Sequence, residues 1–136
     1  MKINKVVETC IYSSDLDGMK KFYVGVIGLP LVQEEEGKRI FLQAGKSMLL
    51  IFDPARTSMY NDRVPAHGAQ TPPPSVHFAM EIEERDYQRW KELLTNNKIA
   101  IEKEVDWEGR AMSLYFRDPA GNLVELITPG EWPVES

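Results

Sequence analysis

The chain opens with a period-two pattern. Along residues 6–12, Val7, Thr9 and Ile11 fall on one side of an extended segment, and Glu8, Cys10 and Tyr12 on the other. Ser13, Ser14 and Asp15 break that strand, and Asp15 is placed to cap a helix. Leu16, Met19, Phe22, Tyr23 and Val26 then recur at helical spacing, with Gly28 as a stop and Pro30 preventing continuation. Strands are predicted near 31–35, 38–44 and 47–52, the last two joined by a tight turn at Gly45-Lys46. From 53 to 75 the periodicity lapses. Pro54, Pro65, Gly68 and Pro72-Pro73-Pro74 mark a long loop, suited to a linker or a lid. Periodicity returns with a strand over 76–82. A helix comes next, opened by Glu83 and Glu84, with Tyr87, Trp90, Leu93 and Leu94 on its buried stripe. Asn96-Asn97 should end it in a left-handed conformation. Strands near 99–105, 111–117 and 122–128 complete the chain, with turns at Asp106-Trp107-Glu108-Gly109 and Asp118-Pro119-Ala120-Gly121-Asn122.

The two halves thus share the order βαβββ. A shift of 69 residues lays Glu8 on His77, Asp15 on Glu84 and Gly28 on Asn97, and the last strands match with Leu50 on Glu125. The expected fold is α+β: two βαβββ modules forming a curved mixed sheet around a cleft. The expected organisation is one domain over 1–136, with module 1 at about 3–54, a linking loop at about 55–74 and module 2 at about 75–130.

Composition narrows the classes. A net charge of −5 disfavours nucleic-acid binding, which needs a basic face. The longest apolar run, Met48 to Phe52, is too short to span a bilayer, and Lys2-Ile3-Asn4-Lys5 does not lead into a signal sequence. The single cysteine, Cys10, permits no internal disulfide and fits a reducing cytoplasm. No nucleic-acid or membrane partner is therefore expected, and the expected location is the cytoplasm.

Against this background three polar residues stand out. Glu125 lies inside Leu-Val-Glu-Leu-Ile, where a carboxylate is costly unless paired or metal-bound. Glu8 and His77 occupy the polar faces of the first strand of each module. If the two sheets face each other, these three side chains can converge, and one imidazole with two carboxylates suits a divalent ion such as Zn, Mn, Fe, Co or Ni.

Longer stretches carry a family resemblance. Val-Glu-Thr-Cys-Ile-Tyr-Ser-Ser-Asp-Leu-Asp at 7–17, Phe22-Tyr23 and Val26-Ile27-Gly28-Leu29 resemble the opening of a vicinal oxygen chelate protein. That superfamily includes glyoxalase I, bleomycin-resistance proteins and extradiol dioxygenases. Ser75-Val76-His77-Phe78-Ala79 resembles the start of its second module. Residues 115–126, from Tyr115 through Asp118-Pro119-Ala120-Gly121-Asn122 to Leu126, are similar to its closing signature. The resemblance implies Glu8, His77 and Glu125 as ligands of a divalent metal. It also implies a lyase or isomerase that chelates neighbouring oxygens of a small substrate, and a homodimer, with modules kept within a chain or exchanged between chains. One glutamate would shuttle a proton, and Tyr115 would donate to a developing oxyanion. Two departures stand in the sequence: the first ligand position holds Glu8 rather than the usual His or Gln, and Leu50 occupies a place where glyoxalase I has a ligand.

Other residues have two readings each. His67, in the long loop, is either an acid–base group on a lid or a loop-fixing residue. Arg39 and Arg56 are candidates to anchor an anionic substrate. Cys10 lines the cleft. Two alternative functions remain open at this point: a metal-free sequestering protein of the bleomycin-resistance type, for which Trp107, Tyr115 and Trp132 are suited, and a ring-cleaving dioxygenase.

Overall fold

A computed structural model describes residues 1–59, 63–68, 70 and 72–134. The chain divides into two compact units, Met1–Pro74 and Ser75–Ser136. Each unit is one βαβββ module carrying a four-stranded mixed sheet.

In the first unit β1 (Glu8–Tyr12) pairs in parallel with β4 (Ser47–Phe52), which pairs antiparallel with β3 (Arg39–Ala44) and through it with β2 (Leu31–Glu35). Period-two alternation fixes the faces. Ile11, Ile40, Leu42, Leu49 and Ile51 are buried on one face, where helix α1 packs against β3 and β4. Glu8, Cys10 and Tyr12 point the other way.

Helix α1 starts at Leu16, capped by the Asp15 carboxylate, which accepts the Gly18 amide at 3.0 Å. It is α-helical only to Lys20 and widens into a π-helix over Lys21–Ile27. The widening moves the buried stripe. Ile27 lies five residues after Phe22, one turn of an i→i+5 helix, and is buried where the α period selects Val26. Gly28 closes the helix at φ 88°, as its place in the sequence predicts. The region expected to be wholly loop contains a short helix, α2 (Pro54–Thr57), with Asp53 capping the Ala55 amide at 2.9 Å.

The second unit repeats the scheme. β5 (His77–Glu81) pairs in parallel with β8 (Leu123–Ile127), followed by β7 (Met112–Arg117) and β6 (Lys103–Asp106). A short 3₁₀ turn at Glu84–Asp86 precedes helix α3 (Tyr87–Asn96). Leu94, Leu114, Phe116, Val124 and Leu126 form its core. Asn97 does not take the left-handed conformation expected of it; Lys98 does, at φ 59°. The strand expected from 99 begins at Lys103.

Strand register supports the internal repeat. Cys10 sits opposite Leu50 in the first sheet, and Ala79 sits opposite Glu125 in the second. Leu50 and Glu125 are therefore equivalent positions, apolar in one module and ionisable in the other.

Candidate metal centre and substrate cavity

The second unit brings His77 and Glu125 together. They stand on adjacent strands, and the Asp118–Asn122 turn sets their alignment. Buried Asp118 accepts the Ala120 and Asn122 amides at 2.9 and 3.0 Å and the Asn122 side-chain amide at 2.8 Å. The Asn122 side-chain oxygen accepts the Val76 amide at 2.9 Å, and the Leu123 amide donates to the Val76 carbonyl at 2.9 Å. The residue beside His77 is thus clamped to the turn that leads into β8.

The His77 ring is oriented by its own hydrogen bond. Nδ1 lies 3.0 Å from the Leu123 carbonyl oxygen, which can only accept, so Nδ1 carries a proton. In the neutral imidazole Nε2 is then a lone pair. It faces Glu125 Oε1 at 3.2 Å. Two electron-rich atoms at that separation repel unless a proton or a cation lies between them. Two ligands of one divalent ion at about 2.1 Å from it stand roughly 3.0–3.4 Å apart, so the pair fits a shared metal. A ligating histidine that donates its other nitrogen to a backbone carbonyl is the usual orienting arrangement.

Glu125 is only 6 % exposed, whereas the His77 side chain is 49 % exposed, so the carboxylate is held inside and the imidazole is half exposed. The second Glu125 oxygen accepts the Ser113 hydroxyl at 2.5 Å, and the Trp107 indole N–H donates to Ser113 Oγ at 2.9 Å. Tyr115 is opposite Glu125 across the strand pair, its ring 6.0 Å from that of His77. Burial, the Glu125 charge and a hydrogen bond to Glu125 push its phenol above the usual range, so it remains a donor. Trp132 joins these side chains around a cavity of 250 Å³. Sequence reasoning missed Ser113. The signal was available: in Met-Ser-Leu-Tyr-Phe, Ser113 and Tyr115 share the face that Leu114 and Phe116 do not.

The other predicted site residues belong to the first unit. Glu8, Cys10, Tyr12, Arg39, Arg56 and His67 line a larger cavity of 740 Å³ over the outer face of β1, β3 and β4. His67 is anchored. Its backbone N–H donates to the Thr57 carbonyl at 2.8 Å, its Nδ1 lies 2.6 Å from the Tyr12 hydroxyl, and its ring meets Phe52 edge-on at 5.0 Å. Burial pushes the Tyr12 phenol up, so its O–H donates and His67 Nδ1 accepts. Gly68 makes this seat possible: a Cβ there would come within 2.5 Å of the Tyr12 ring, and its φ is 67°. Tyr12, the partner of His67, had no role in the sequence reading. Burial, then the Glu8 charge, raises the Cys10 thiol, which keeps it protonated and suits a lining role. Among the described residues, no three His, Cys, Asp or Glu side chains gather at metal-binding range; His77 and Glu125 are paired and Glu8 lies in the first unit.

The fold agrees with the comparisons to known proteins. A family model described as the glyoxalase/bleomycin resistance protein/dioxygenase superfamily matches residues 2–126, and the chain belongs to that family. Among solved structures it is similar to a lactoylglutathione lyase from Agrobacterium tumefaciens, at 33% identity over 98% of this chain and 100% of that one, with a TM-score of 0.88. A glyoxalase/bleomycin resistance protein/dioxygenase from Nocardioides shares the fold at 20% identity, covering 100% of this chain and 91% of that one, with a TM-score of 0.73. The metallothiol transferase FosB of Staphylococcus epidermidis is 37% identical over 54 residues, which span 39% of this chain and 38% of that protein. Among the described residues no helix is long and apolar enough to cross a membrane.

Proposed function

We propose that the chain is a metal-dependent enzyme of the glyoxalase type, a lyase or isomerase acting on a small substrate with two neighbouring oxygens. The observation that carries this reading is His77 Nε2 facing a Glu125 carboxylate oxygen at 3.2 Å while Nδ1 is held by the Leu123 carbonyl. His77 and Glu125 would hold the ion, with Glu8 as third ligand from a first module, this chain's own or that of a second copy in a homodimer. Three protein ligands leave positions for water or substrate, and Zn, Mn, Fe, Co and Ni all accept this donor set. When bound, the ion supplies Lewis-acid polarisation of the substrate oxygens. The neighbours named for a lyase and a metallothiol transferase support an enzyme that works through a metal.

The chain's own groups divide the remaining work. Tyr115, kept protonated, donates to the substrate oxygen that gains charge. Glu125 is engaged by Ser113, His77 and Tyr115, which suits a fixed ligand. The Glu8 carboxylate has no hydrogen bond among the described residues, so it is the carboxylate freer to take and return a substrate proton. Tyr12 occupies Nδ1 of His67 and leaves Nε2 as its exchangeable position, which makes His67 the secondary acid–base group. A reducing cytoplasm agrees with the single thiol.

The test is metal content. Wild-type protein should retain a divalent ion in near-stoichiometric amount by elemental analysis. His77→Ala and Glu125→Gln should each weaken metal binding beyond the roughly 10–100-fold effect of outer partners, with circular dichroism unchanged. Wild-type protein that binds none of these ions by calorimetry overturns the reading. One observation favours a second reading: Trp107, Tyr115 and Trp132 surround Glu125, as a box for an aromatic or cationic compound would. A metal-free protein that binds such compounds would establish it. Oxygen-dependent ring cleavage would need His67 as a second imidazole ligand, since the sequence has only 2 histidines.

A further inference from the structure

The first-module cavity has two unlike ends. Register places Glu8 beside Met48, which pairs with Gln43, and Tyr12 beside Phe52, which pairs with Arg39. Glu8 and Arg39 therefore mark opposite ends, offset by four residues or roughly 13 Å along the strands and by two strand spacings across the sheet. Between them the floor is apolar, made of Cys10, Phe41, Leu50 and Phe52.

The far end is cationic. Lys38 Nζ and Arg39 Nη2 reach the Glu35 carboxylate at 2.6 and 3.0 Å. Arg56 adds its charge there and helps hold the Glu35 carboxyl below its ordinary range, after the Lys38 hydrogen bond and the nearer charges. Three cations thus stand around one acid. The Arg39 guanidinium lies 5.3 Å from the Phe41 ring centroid, which fixes its plane. The Arg39 side chain is 40 % exposed, Arg56 is exposed, and both line this cavity. Two accessible guanidinium groups above an aromatic floor are what an anionic ligand head would meet.

We propose that this cavity selects a substrate with an apolar, aryl or alkyl body and an anionic terminus, carboxylate, phosphonate or phosphate, seated on Arg39 and Arg56. Its chelating oxygens would lie at the Glu8 end. That last element rests on the reading of Glu8 as a metal ligand; the anion seat does not.

The experiment measures 4-phenylbutyrate binding to metal-stripped full-length protein by calorimetry, with the neutral 4-phenylbutanamide as its control. The acid should bind at least about tenfold more tightly than the amide, and Arg39→Met or Arg56→Met should remove most of that preference. Arg39→Lys should recover part of it. Glu35→Gln, which removes the competing carboxylate, should tighten acid binding by about two- to fivefold. Equal affinity for acid and amide, or acid binding by correctly folded Arg39→Met at the wild-type level, overturns the proposal. Because the acid–amide comparison uses the unaltered protein, it stands even if a variant misfolds. Protein that binds the acid through Arg39 but never retains metal overturns the metal reading alone; protein that retains metal but shows no acid preference overturns the anion seat alone.

Discussion

In the proposed metal centre Ser113 would act on Glu125 without touching the ion. It is fully buried, donates to Glu125, and accepts from Trp107. Ser113→Ala removes the hydrogen bond that orients the carboxylate and leaves a part-buried indole N–H without its acceptor. Unfolding in urea should show a loss of about 1–3 kcal/mol. Competition with a chelator should show metal affinity down by roughly 10–100-fold. A wild-type affinity in this variant would mean that β8 alone orients Glu125. The sequence made Glu125 legible because a lone acid in an apolar strand demands an explanation. Ser113 and Tyr12 were not legible in the same way. Small hydroxyls and tyrosines are ordinary on strands, and their meaning comes from a partner 12 or 55 residues away.

At the scale of elements, pattern was a good guide to order and a weaker one to shape. Period-two alternation assigned both faces of β1, β5 and β8, and the Asp15 cap is where it was expected. The π-helical half of α1 was hidden, because the same apolar residues satisfy either period until their burial is known. Asn97 was favoured for the left-handed position on propensity, yet the chain turns one residue later. The turn at 118–122 is the element with the clearest functional consequence. Asn122 bonds both Asp118 and Val76, so Asn122→Ala should loosen β5 against β8 and spread the His77–Glu125 pair. Hydrogen exchange should show faster exchange at the Val76 amide, and metal affinity should fall by at least about tenfold. Protection at Val76 equal to wild type would show that the strand ladder suffices.

For the whole molecule, the βαβββ repeat could be read from the order of its elements, while the assembly could not. In the proposed site a first module would supply Glu8 and a second module His77 and Glu125. The proposed homodimer permits both ligand sources to lie in one chain or in two. Mixing Glu8→Gln and Glu125→Gln subunits, unfolding and refolding them together, separates the two cases. Exchange of modules between chains predicts that about a quarter of the sites regain all three ligands and that metal-dependent activity returns in proportion. Assembly within each chain predicts no recovery. Sequence could not distinguish these, because a residue's neighbours in its own module say nothing of which copy faces it.

The hydrogen bond from His77 to the Leu123 carbonyl has one more consequence. The carbonyl that dictates the imidazole tautomer belongs to the same strand that delivers the acid two residues later. A slip of β8 by one position would turn Glu125 toward the hydrophobic interior and change what the ring nitrogen meets. Uptake of the proposed metal would then act as a proofreader of folding: a chain with β8 misaligned would have no place to lodge the ion, and the ion's binding energy would favour the copies whose strands are correctly aligned.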